Sequence, residues 1–355
     1  MTARSREPVL VMMSGGVDSS VAAALLLDAG HDVVGVTMKL WGGPSDTGCC
    51  AVSDVDDARR VADRLGIEHH VFNFGDDFER NVVAPYVDDH AAGRTPNPCI
   101  ECNRHLKFDR LVRRADALGF ERIATGHHAR VVETAHGPRL ARGVDDAKDQ
   151  SYVLHVIEES VLRRLLLPVG TMTKNEVRAI AADLGLRTAT KPESQDVCFI
   201  TNQHGRKAFL GDRIPLRSAV VQTSNGDDVG RVEAVELVTI GQRKGLGLAG
   251  GTDPRYVIDV DAGRGRQPVV TVGERTDLAV GHTPLESWRW VGRVLDDCEL
   301  SFQCSAHGSP VPGRVIAGRV EWAVPHRKIA LGQSIVAYDA QGCVVGGGIA
   351  GRLPL

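Results

Sequence analysis

Two cysteines with the spacing Cys-x-x-Cys, Cys99 and Cys102, stand in the proline-containing stretch "TPNPCIECN" (95–103). Such a thiol pair suits four kinds of chemistry: a zinc site, a dithiol redox switch, an iron–sulfur site, or a nucleophile. Zinc needs four ligands, and the conceivable partners Cys49, Cys50, His127 and His128 do not form a second pair with zinc-finger spacing. The pair by itself leaves these alternatives open.

Cys102 precedes a basic stretch, "NRHLKFDRLVRRADALGF", that has the pattern of a helix. A thiol at a helix N-terminus, close to Arg104, His105 and Lys107, is expected to have a lowered pKa and to be partly thiolate. A third cysteine, Cys198, lies in the polar stretch "KPESQDVCFI". Two thiols in polar loops favour chemistry over packing.

A second candidate site is the stretch Ser14-Gly15-Gly16-Val17-Asp18-Ser19-Ser20, between a predicted strand and a predicted helix. The glycines allow close approach of a ligand to the backbone, and the helix N-terminus favours a phosphate. No Gly-Lys-Ser/Thr follows, so the stretch is not a Walker A loop. The missing lysine argues against transfer of a γ-phosphoryl group.

The elements that must position these residues change character along the chain. Up to about Leu186, short apolar runs such as "VLVMMS" and "DVVGVTMKL" alternate with helical patterns such as "VDSSVAAALLLDAG", which predicts an α/β domain with a parallel sheet. After about Thr201 the pattern is strand-rich with Gly, Pro and Asp turns. We expect three domains: an α/β domain (1–205), a small central β-rich domain (206–280) and a C-terminal β-barrel-like domain (281–355).

Composition excludes several classes of protein. The 355 residues are 43% hydrophobic and 25% charged, and the longest apolar run, "VAAALLL", is far shorter than the roughly 20 residues of a membrane span. Eight cysteines are too few for a secreted disulfide framework, so a cytoplasmic protein without a membrane partner is expected. Because the net charge is −3, a nucleic acid would have to be held by local basic patches.

Taken together, the motifs resemble those of the bacterial tRNA-specific 2-thiouridylases, which belong to the ATPases with a pyrophosphatase loop. The matching stretches occur in family order and are "MSGGVDSS", "TPNPCIECN", "ATGHHAR", "KDQSY", "SQDVCFI", "GQRKGLG" and "GGGIAGRLPL". The resemblance implies an adenine-nucleotide-hydrolase-like N-terminal fold. It also implies ATP-dependent 2-thiolation of the wobble uridine of tRNA.

The resemblance carries site residues over to this chain. It makes Cys102 the nucleophilic cysteine and Cys198 the persulfide-bearing one, and it implies that the two can form a disulfide. The ATP-binding residues that it implies are Met12, Met13, Ser14, Gly15, Gly16, Val17, Asp18, Ser19, Met38 and Gly126. The implied tRNA-binding residues are Asn97, Pro98, Cys99, His127, Lys148, Asp149, Gln150 and Gln333.

The implied reaction begins with attack of the uridine C2 oxygen on the α-phosphate of ATP, which releases pyrophosphate. Sulfur from a Cys198 persulfide then replaces AMP. The expected cofactors are ATP and Mg²⁺, and Asp18 is the residue expected to help place the metal. The expected partners are a tRNA with a modifiable wobble uridine and a persulfide donor, either a cysteine desulfurase or a relay protein.

Cys99 departs from the family pattern, in which many members carry Asp at this position. Together, Cys99, Cys102 and Cys198 also resemble a three-thiolate set for a [4Fe–4S] cluster with one open iron. A persulfide relay and a cluster therefore both remain open at this point.

Two other functions compete with tRNA thiolation. An adenylating amidotransferase or synthetase of the same nucleotide fold would act on a small molecule and release pyrophosphate without RNA. A nucleotide- and metal-binding sensor would bind metal tightly without turnover. The small-molecule enzyme has no use for "TPNPCIECN".

Overall fold

The structure is a computed structural model, which describes residues 7–40, 52–192, 197–200, 205–248, 253–263 and 265–352. Cys49 and Cys50 lie outside these ranges. The chain divides into two compact units. The first comprises Met1–Val82, Pro98–Thr201 and Gln341–Val344, and the second comprises Val83–Asn97, Asn202–Ala340 and Val345–Leu355.

Helices and strands alternate in the first unit, and strands dominate the second. The α-helices are α1 (Val17–Asp28), α2 (Val52–Leu65), α3 (Gly75–Phe78), α4 (Ala84–Ala91), α5 (Pro98–Glu101), α6 (Leu111–Ala117), α7 (Ser151–Leu154), α8 (Glu159–Leu162), α9 (Lys174–Asp183) and α10 (Gly205–Gly211). Two π-helical stretches (Glu79–Val83 and Cys102–Arg110) and four 3₁₀ turns (Pro168–Thr171, Arg187–Thr190, Val235–Leu237 and Thr276–Leu278) complete the helical elements in the described ranges. The strands are β1 (Pro8–Met12), β2 (Asp32–Lys39), β3 (Glu68–Asn73), β4 (Arg122–Thr125), β5 (Ala129–Thr134), β6 (Gly137–Arg142), β7 (Leu165–Leu166), β8 (Ala219–Thr223), β9 (Asp228–Val232), β10 (Tyr256–Asp261), β11 (Val269–Gly273), β12 (Ala279–Trp290), β13 (Leu300–Gln303), β14 (Val311–Ile316), β15 (Arg319–Arg327), β16 (Ser334–Tyr338) and β17 (Val344–Ala350).

A five-stranded parallel sheet in the order β3-β2-β1-β4-β7 forms the centre of the first unit. β1 is central and almost continuously apolar, as expected for a parallel strand that is covered on both faces. α1 packs against it with small side chains, among them Ala22 and Ala23, which are completely buried. The first site loop therefore leaves the middle of the sheet, where the carboxyl ends of the strands meet.

Two β-structures form the second unit. β10, β11, β8 and β9 make a four-stranded sheet in that order, and β12-β15-β14-β13-β16-β17 close into a barrel. The barrel core contains Phe302, Val320, Trp322 and Ile335, all of which are buried. The predicted fold class, an α/β domain with a parallel sheet followed by a small central domain and a barrel, is confirmed.

Two stretches with strand-like sequence are not continuous strands in the structure. The stretch "RIATGHHAR" is not one strand, because the chain leaves the parallel sheet after β4 and begins β5 of a separate hairpin at Ala129. The stretch "VEAVELVTI" contains a 3₁₀ turn at Val235–Leu237. α9 begins with a capping box, in which Thr173 and Glu176 exchange side-chain and backbone hydrogen bonds. Within the described ranges, no helix is both long and apolar enough to cross a membrane.

A buried histidine makes the second unit sensitive to acid. His90 is 2% exposed, its Nδ1–H donates to the Glu236 carbonyl (3.0 Å), and burial lowers its pKa to about 4. Since the unfolded value is near 6.5, stability is fully present above pH 6.5 and is lost as the pH falls towards 4. The loss should reach about 3 kcal/mol.

Unfolding by urea at several pH values measures this effect. His90→Gln should flatten the dependence of the unfolding free energy on pH between 6.5 and 4. His136→Gln, at an exposed position, is the matched control and should leave that dependence unchanged. An unaltered slope in His90→Gln would contradict the assignment.

Candidate active site

The loop between β1 and α1 is shaped to bind an anion. Gly15 has a φ of 73°, a conformation that favours glycine, and a Cβ there would lie 2.2 Å from the carbonyl oxygen of Asp54. Gly16 precedes α1 in an extended conformation and provides no side-chain cap. The first N–H groups of α1 therefore point toward the loop, where they and the helix dipole favour a phosphate.

Serine side chains fix the loop. The Ser14 backbone N–H donates to Ser19 Oγ (3.1 Å), and Ser19 Oγ donates to the Gly16 carbonyl (3.1 Å). Ser20 Oγ donates to the same carbonyl at 2.8 Å. These hydrogen bonds hold the loop in its bent form before a ligand binds. Binding therefore costs the loop less conformational entropy.

Asp18, in the first turn of α1, is held by two side chains from distant parts of the sequence. Lys174 Nζ at the start of α9 donates to both carboxylate oxygens (2.8 and 2.7 Å), and His128 Nε2 lies 3.1 Å from Oδ1. Burial alone would raise the pKa of Asp18, but the hydrogen bonds and charges of His128 and Lys174 outweigh it and lower that pKa below 3.8. The carboxylate is therefore ionised at neutral pH.

The same carboxylate fits a magnesium ion. Mg²⁺ in nucleotide sites is commonly bound by one or two carboxylates together with substrate phosphates. Asp18 lies beside the anion-binding loop with its side chain 29% exposed, and a carboxylate offers more lone pairs than these two contacts use. A bound Mg²⁺ would neutralise phosphate charge here.

The other predicted ATP-binding residues surround this loop. Met12 and Met13 are buried at the end of β1, where Thr37 Oγ1 donates to the Met13 carbonyl (2.6 Å), and Met38 is buried near the end of β2. A Cβ on Gly126 would lie 2.4 Å from the Ser19 backbone nitrogen, so only glycine lets β4 end this close to α1. All of them lie at the carboxyl ends of adjacent parallel strands, the usual place for a nucleotide.

The helix that bears the thiols begins earlier than predicted. Pro98 is its first residue, as is common for proline, and α5 continues directly into the π-helical stretch that starts at Cys102. Cys99 therefore occupies the first turn and Cys102 lies one turn further on. The prediction that Cys102 stands at the helix N-terminus is wrong, and the dipole acts mainly on Cys99 because it falls off within the first turn.

The basic groups near Cys102 are engaged within the chain. Arg104 and His105 both contact the Glu101 carboxylate (3.3 and 3.2 Å), and Lys107 Nζ lies 3.3 Å from His127 Nε2. Further along, Arg110 pairs with Asp77 and Arg113 with Asp109. The structure thus pairs three arginines of this basic stretch with carboxylates.

One short helix anchors both thiol-bearing segments. Phe199, next to Cys198, packs edge-to-face on Phe78 of α3 with ring centroids 5.7 Å apart. The neighbouring residue Asp77 accepts two hydrogen bonds from Arg110, at the end of the stretch that starts at Cys102 (3.0 and 2.7 Å). Phe78 is completely buried. α3 therefore serves as a common support for the Cys102 and Cys198 segments.

The cysteines of the described ranges form no cross-link and belong to no group of metal-ligating side chains. No three His, Cys, Asp or Glu side chains there are grouped so as to hold a metal ion, so Cys99, Cys102 and Cys198 do not fit a [4Fe–4S] cluster as arranged. None of the six cysteines described forms a disulfide, so the Cys102–Cys198 disulfide stays a prediction. Burial raises the pKa of Cys304, in the barrel unit, to about 12, which keeps that thiol protonated.

The residues predicted to bind tRNA differ in their surroundings. Burial, reinforced by Lys107, lowers the pKa of His127 well below 6.5, so this ring is neutral. The Asp149 carboxylate is 2% exposed and accepts from the Gly143 N–H, the Ser151 N–H and the Ser151 hydroxyl. Its side chain thus holds the loop that carries Lys148 and Gln150.

The predicted tRNA-binding residues are divided between the two units. Gln150 Oε1 accepts from the His128 N–H (2.9 Å), which joins the loop after β4 to the loop before α7. Pro98 and Cys99 belong to the first unit. Asn97 and Gln333 belong to the second, where Gln333 Nε2 donates to the Thr95 carbonyl.

Two family descriptions match most of the chain. The one described as a tRNA methyl transferase HUP domain matches residues 7–202, and the one described as a tRNA methyl transferase PRC-barrel domain matches residues 207–281. The tRNA-specific 2-thiouridylase MnmA of Carboxydothermus hydrogenoformans is 43% identical over 98% of this chain and 99% of that protein. The protein of the same name from Mycolicibacterium smegmatis is 45% identical over 93% and 94%.

The chain belongs to the tRNA-specific 2-thiouridylase family. The two matching domains are named after a tRNA methyl transferase. The family is nevertheless assigned from the identity above 40%, over almost the full length, to proteins named 2-thiouridylases. Among solved structures, a 4-thiouridine synthetase–RNA complex with bound ATP is similar over 54% of this chain and 45% of that one, with a TM-score of 0.36 and 20% identity. That likeness is too weak to assign a role to any residue of this family member.

The sequence analysis missed Lys174 as a site residue. It is the first residue of α9, where the helix dipole disfavours a positive charge. A lysine at this position is therefore a signal that something nearby compensates it. The structure shows that the compensating group is Asp18, in the first turn of α1.

Proposed function

We propose that the chain replaces the C2 oxygen of the wobble uridine of tRNA with sulfur in an ATP-dependent reaction. The observation that carries this proposal is the presence of an anion-binding loop with an ionised Asp18 in the same unit as two cysteine segments that share one anchoring helix. The full-length similarity to proteins named tRNA-specific 2-thiouridylases supports the choice of substrate.

In the first step the uridine C2 oxygen attacks the α-phosphorus of ATP. A C2–O–P bond forms, the bond between the α- and β-phosphates breaks, and pyrophosphate leaves with the electron pair. The N–H groups at the start of α1 and the Ser14 hydroxyl are placed to hold the phosphates. Because these donors are already fixed, they stabilise the developing charge without reorganisation.

In the second step the outer sulfur of a Cys198 persulfide attacks C2. The C2–O bond breaks, and AMP leaves with the oxygen. The Cys102 thiolate then attacks the Cys198 sulfur, which breaks the bond to the transferred sulfur and leaves 2-thiouridine and a Cys102–Cys198 disulfide. A dithiol reductant reopens that disulfide, and a persulfide donor protein recharges Cys198.

The direct test combines purified protein, ATP, Mg²⁺, a persulfide donor and unmodified tRNA. Nucleoside analysis should find 2-thiouridine at the wobble position, and pyrophosphate release should require tRNA. Pyrophosphate release without RNA would favour an enzyme that adenylates a small molecule. Tight metal binding without turnover would favour the sensor.

Cys99→Ser separates the persulfide relay from a cluster enzyme. Since the three thiols do not fit a cluster as arranged, we expect this variant to retain at least about a tenth of wild-type thiolation. Iron and sulfide analysis after anaerobic purification is the second measurement. Stoichiometric iron in the wild type, lost together with activity in Cys99→Ser, would contradict the relay.

A further inference from the structure

A second lysine near the loop, Lys191, joins three separate parts of the first unit. Its Nζ donates to the Gly15 carbonyl (3.0 Å), to Asp54 Oδ1 (2.7 Å) and to Asp57 Oδ2 (2.6 Å). An ammonium group has three N–H donors, and these contacts use all three. Lys191 is therefore not available to bind phosphate in this arrangement, and its contacts indicate a positioning role.

The charges at this junction are well matched. Burial would lower the pKa of Lys191, but the hydrogen bonds and charges of Asp54 and Asp57 raise it above 10.5. The two carboxylates lie in the first turns of α2, close to the point where the Asp54 carbonyl touches Gly15. The lysine thus neutralises negative charge directly beside the loop that must accept a triphosphate.

The backbone near Lys191 is also held by hydrogen bonds. Arg178 of α9 donates to the Ala189 carbonyl and to the Lys191 carbonyl (3.2 Å), which fixes the 3₁₀ turn at Arg187–Thr190. Cys198 follows seven residues after Lys191, and its neighbour Phe199 is anchored on Phe78. Lys191, which precedes Cys198 in the sequence, and Phe199, which follows it, are therefore each held by contacts within the first unit.

We propose that Lys191 is a positioning residue that ties the ATP-binding loop to the start of the Cys198 segment, so that the sulfur-bearing thiol reaches the base adenylated in that loop. This inference rests on the proposed tRNA thiolation. Without the contacts of Lys191, the base is still adenylated but Cys198 is misplaced. The adenylated base is then hydrolysed, with water replacing AMP and restoring uridine.

The test is the ratio of 2-thiouridine formed to pyrophosphate released in a single turnover of persulfide-loaded protein at saturating ATP. The wild type should give a ratio near one. Lys191→Met should lower the ratio by at least about tenfold, because small misplacements of a reacting group cost at least that much. The same variant should raise the KM for ATP several-fold, since Asp54 and Asp57 lose this cation beside the loop.

Three further variants test whether the change in the ratio comes from the contacts of Lys191. Lys191→Arg keeps the charge and should bring the ratio back to within about threefold of wild type. Asp57→Asn removes one of the two negative charges that hold Lys191 and should lower the ratio by about threefold, which provides a milder change if Lys191→Met does not fold. Lys207→Met, which removes an exposed lysine paired with Glu233, is the matched control and should leave the ratio unchanged.

A purely structural role predicts a different result. If Lys191→Met lowers both rates equally, or leaves the ratio at the wild-type value, the positioning role is overturned while tRNA thiolation stands. If the wild type releases pyrophosphate but never forms 2-thiouridine, the proposed function is overturned, and the inference with it.

Discussion

Cys102→Ser and Cys198→Ser should each lower the rate of tRNA thiolation by at least about 100-fold, while ATP and tRNA still bind. Serine has nearly the size of cysteine, but its hydroxyl stays protonated near neutral pH and cannot carry a transferable sulfur. Pyrophosphate release in a single turnover should persist in both variants, since adenylation does not involve either thiol.

The matched control is Cys298→Ser, an exposed cysteine in the unit that contains the barrel. It should thiolate tRNA at the wild-type rate. Cys102→Ser and Cys198→Ser should also differ from each other after treatment with a persulfide donor. Cys102→Ser should retain a persulfide on Cys198, detectable by mass spectrometry, whereas Cys198→Ser should not. Full thiolation by Cys198→Ser would contradict both the persulfide-relay mechanism and the cluster mechanism.

The structure attaches the segments of these two thiols to one helix although 96 positions separate the cysteines in the sequence. Phe199 and Arg110 both attach to the short α3 helix, through Phe78 and Asp77. A buried aromatic pair contributes about 1 kcal/mol beyond its burial, so Phe199 is a firm anchor. The ion pair of Arg110 is half exposed and contributes less, which makes it an orienting contact.

The fold was largely predictable because its signals are local. Apolar runs of strand length, helical periodicity and the glycine after α1 define the alternation of the first unit. The loop at residues 14–20 was also recognisable, because glycine and serine at a strand-to-helix turn are typical of an anion-binding site at a helix N-terminus. These features depend on neighbours within a few positions.

The electrostatics of the site were not predictable in the same way. Lys174 reaches Asp18 across 156 positions, and Lys191 reaches Asp54 across 137. Neither lysine belongs to a motif with a fixed spacing to its partner, so only the folded chain shows the pairs. The start of the thiol helix at Pro98 was missed for another reason. Its first turn, "PCIE", is too short to show an amphipathic pattern.

Asp18→Asn should lower the rate of adenylation by at least about 100-fold. The amide cannot balance the charge of Lys174 or provide an anionic ligand for Mg²⁺, although it has nearly the shape of the carboxylate. The change also leaves a lysine whose side chain is only 11% exposed without its ion pair, so a loss of about 1 to 3 kcal/mol in stability is expected. Activity must therefore be measured well below the melting temperature of the variant.

Release of pyrophosphate in the presence of tRNA is the measurement, with Asp28→Asn as the matched control. Asp28 is the last residue of the same helix and is exposed, so its change should alter neither pyrophosphate release nor stability. If Asp18 served only to neutralise Lys174, the double variant Asp18→Asn/Lys174→Met would regain adenylation, because no unpaired charge would remain. Continued inactivity of the double variant is expected, since the carboxylate is needed at the phosphates themselves. Wild-type pyrophosphate release by Asp18→Asn would show that the loop works without this carboxylate.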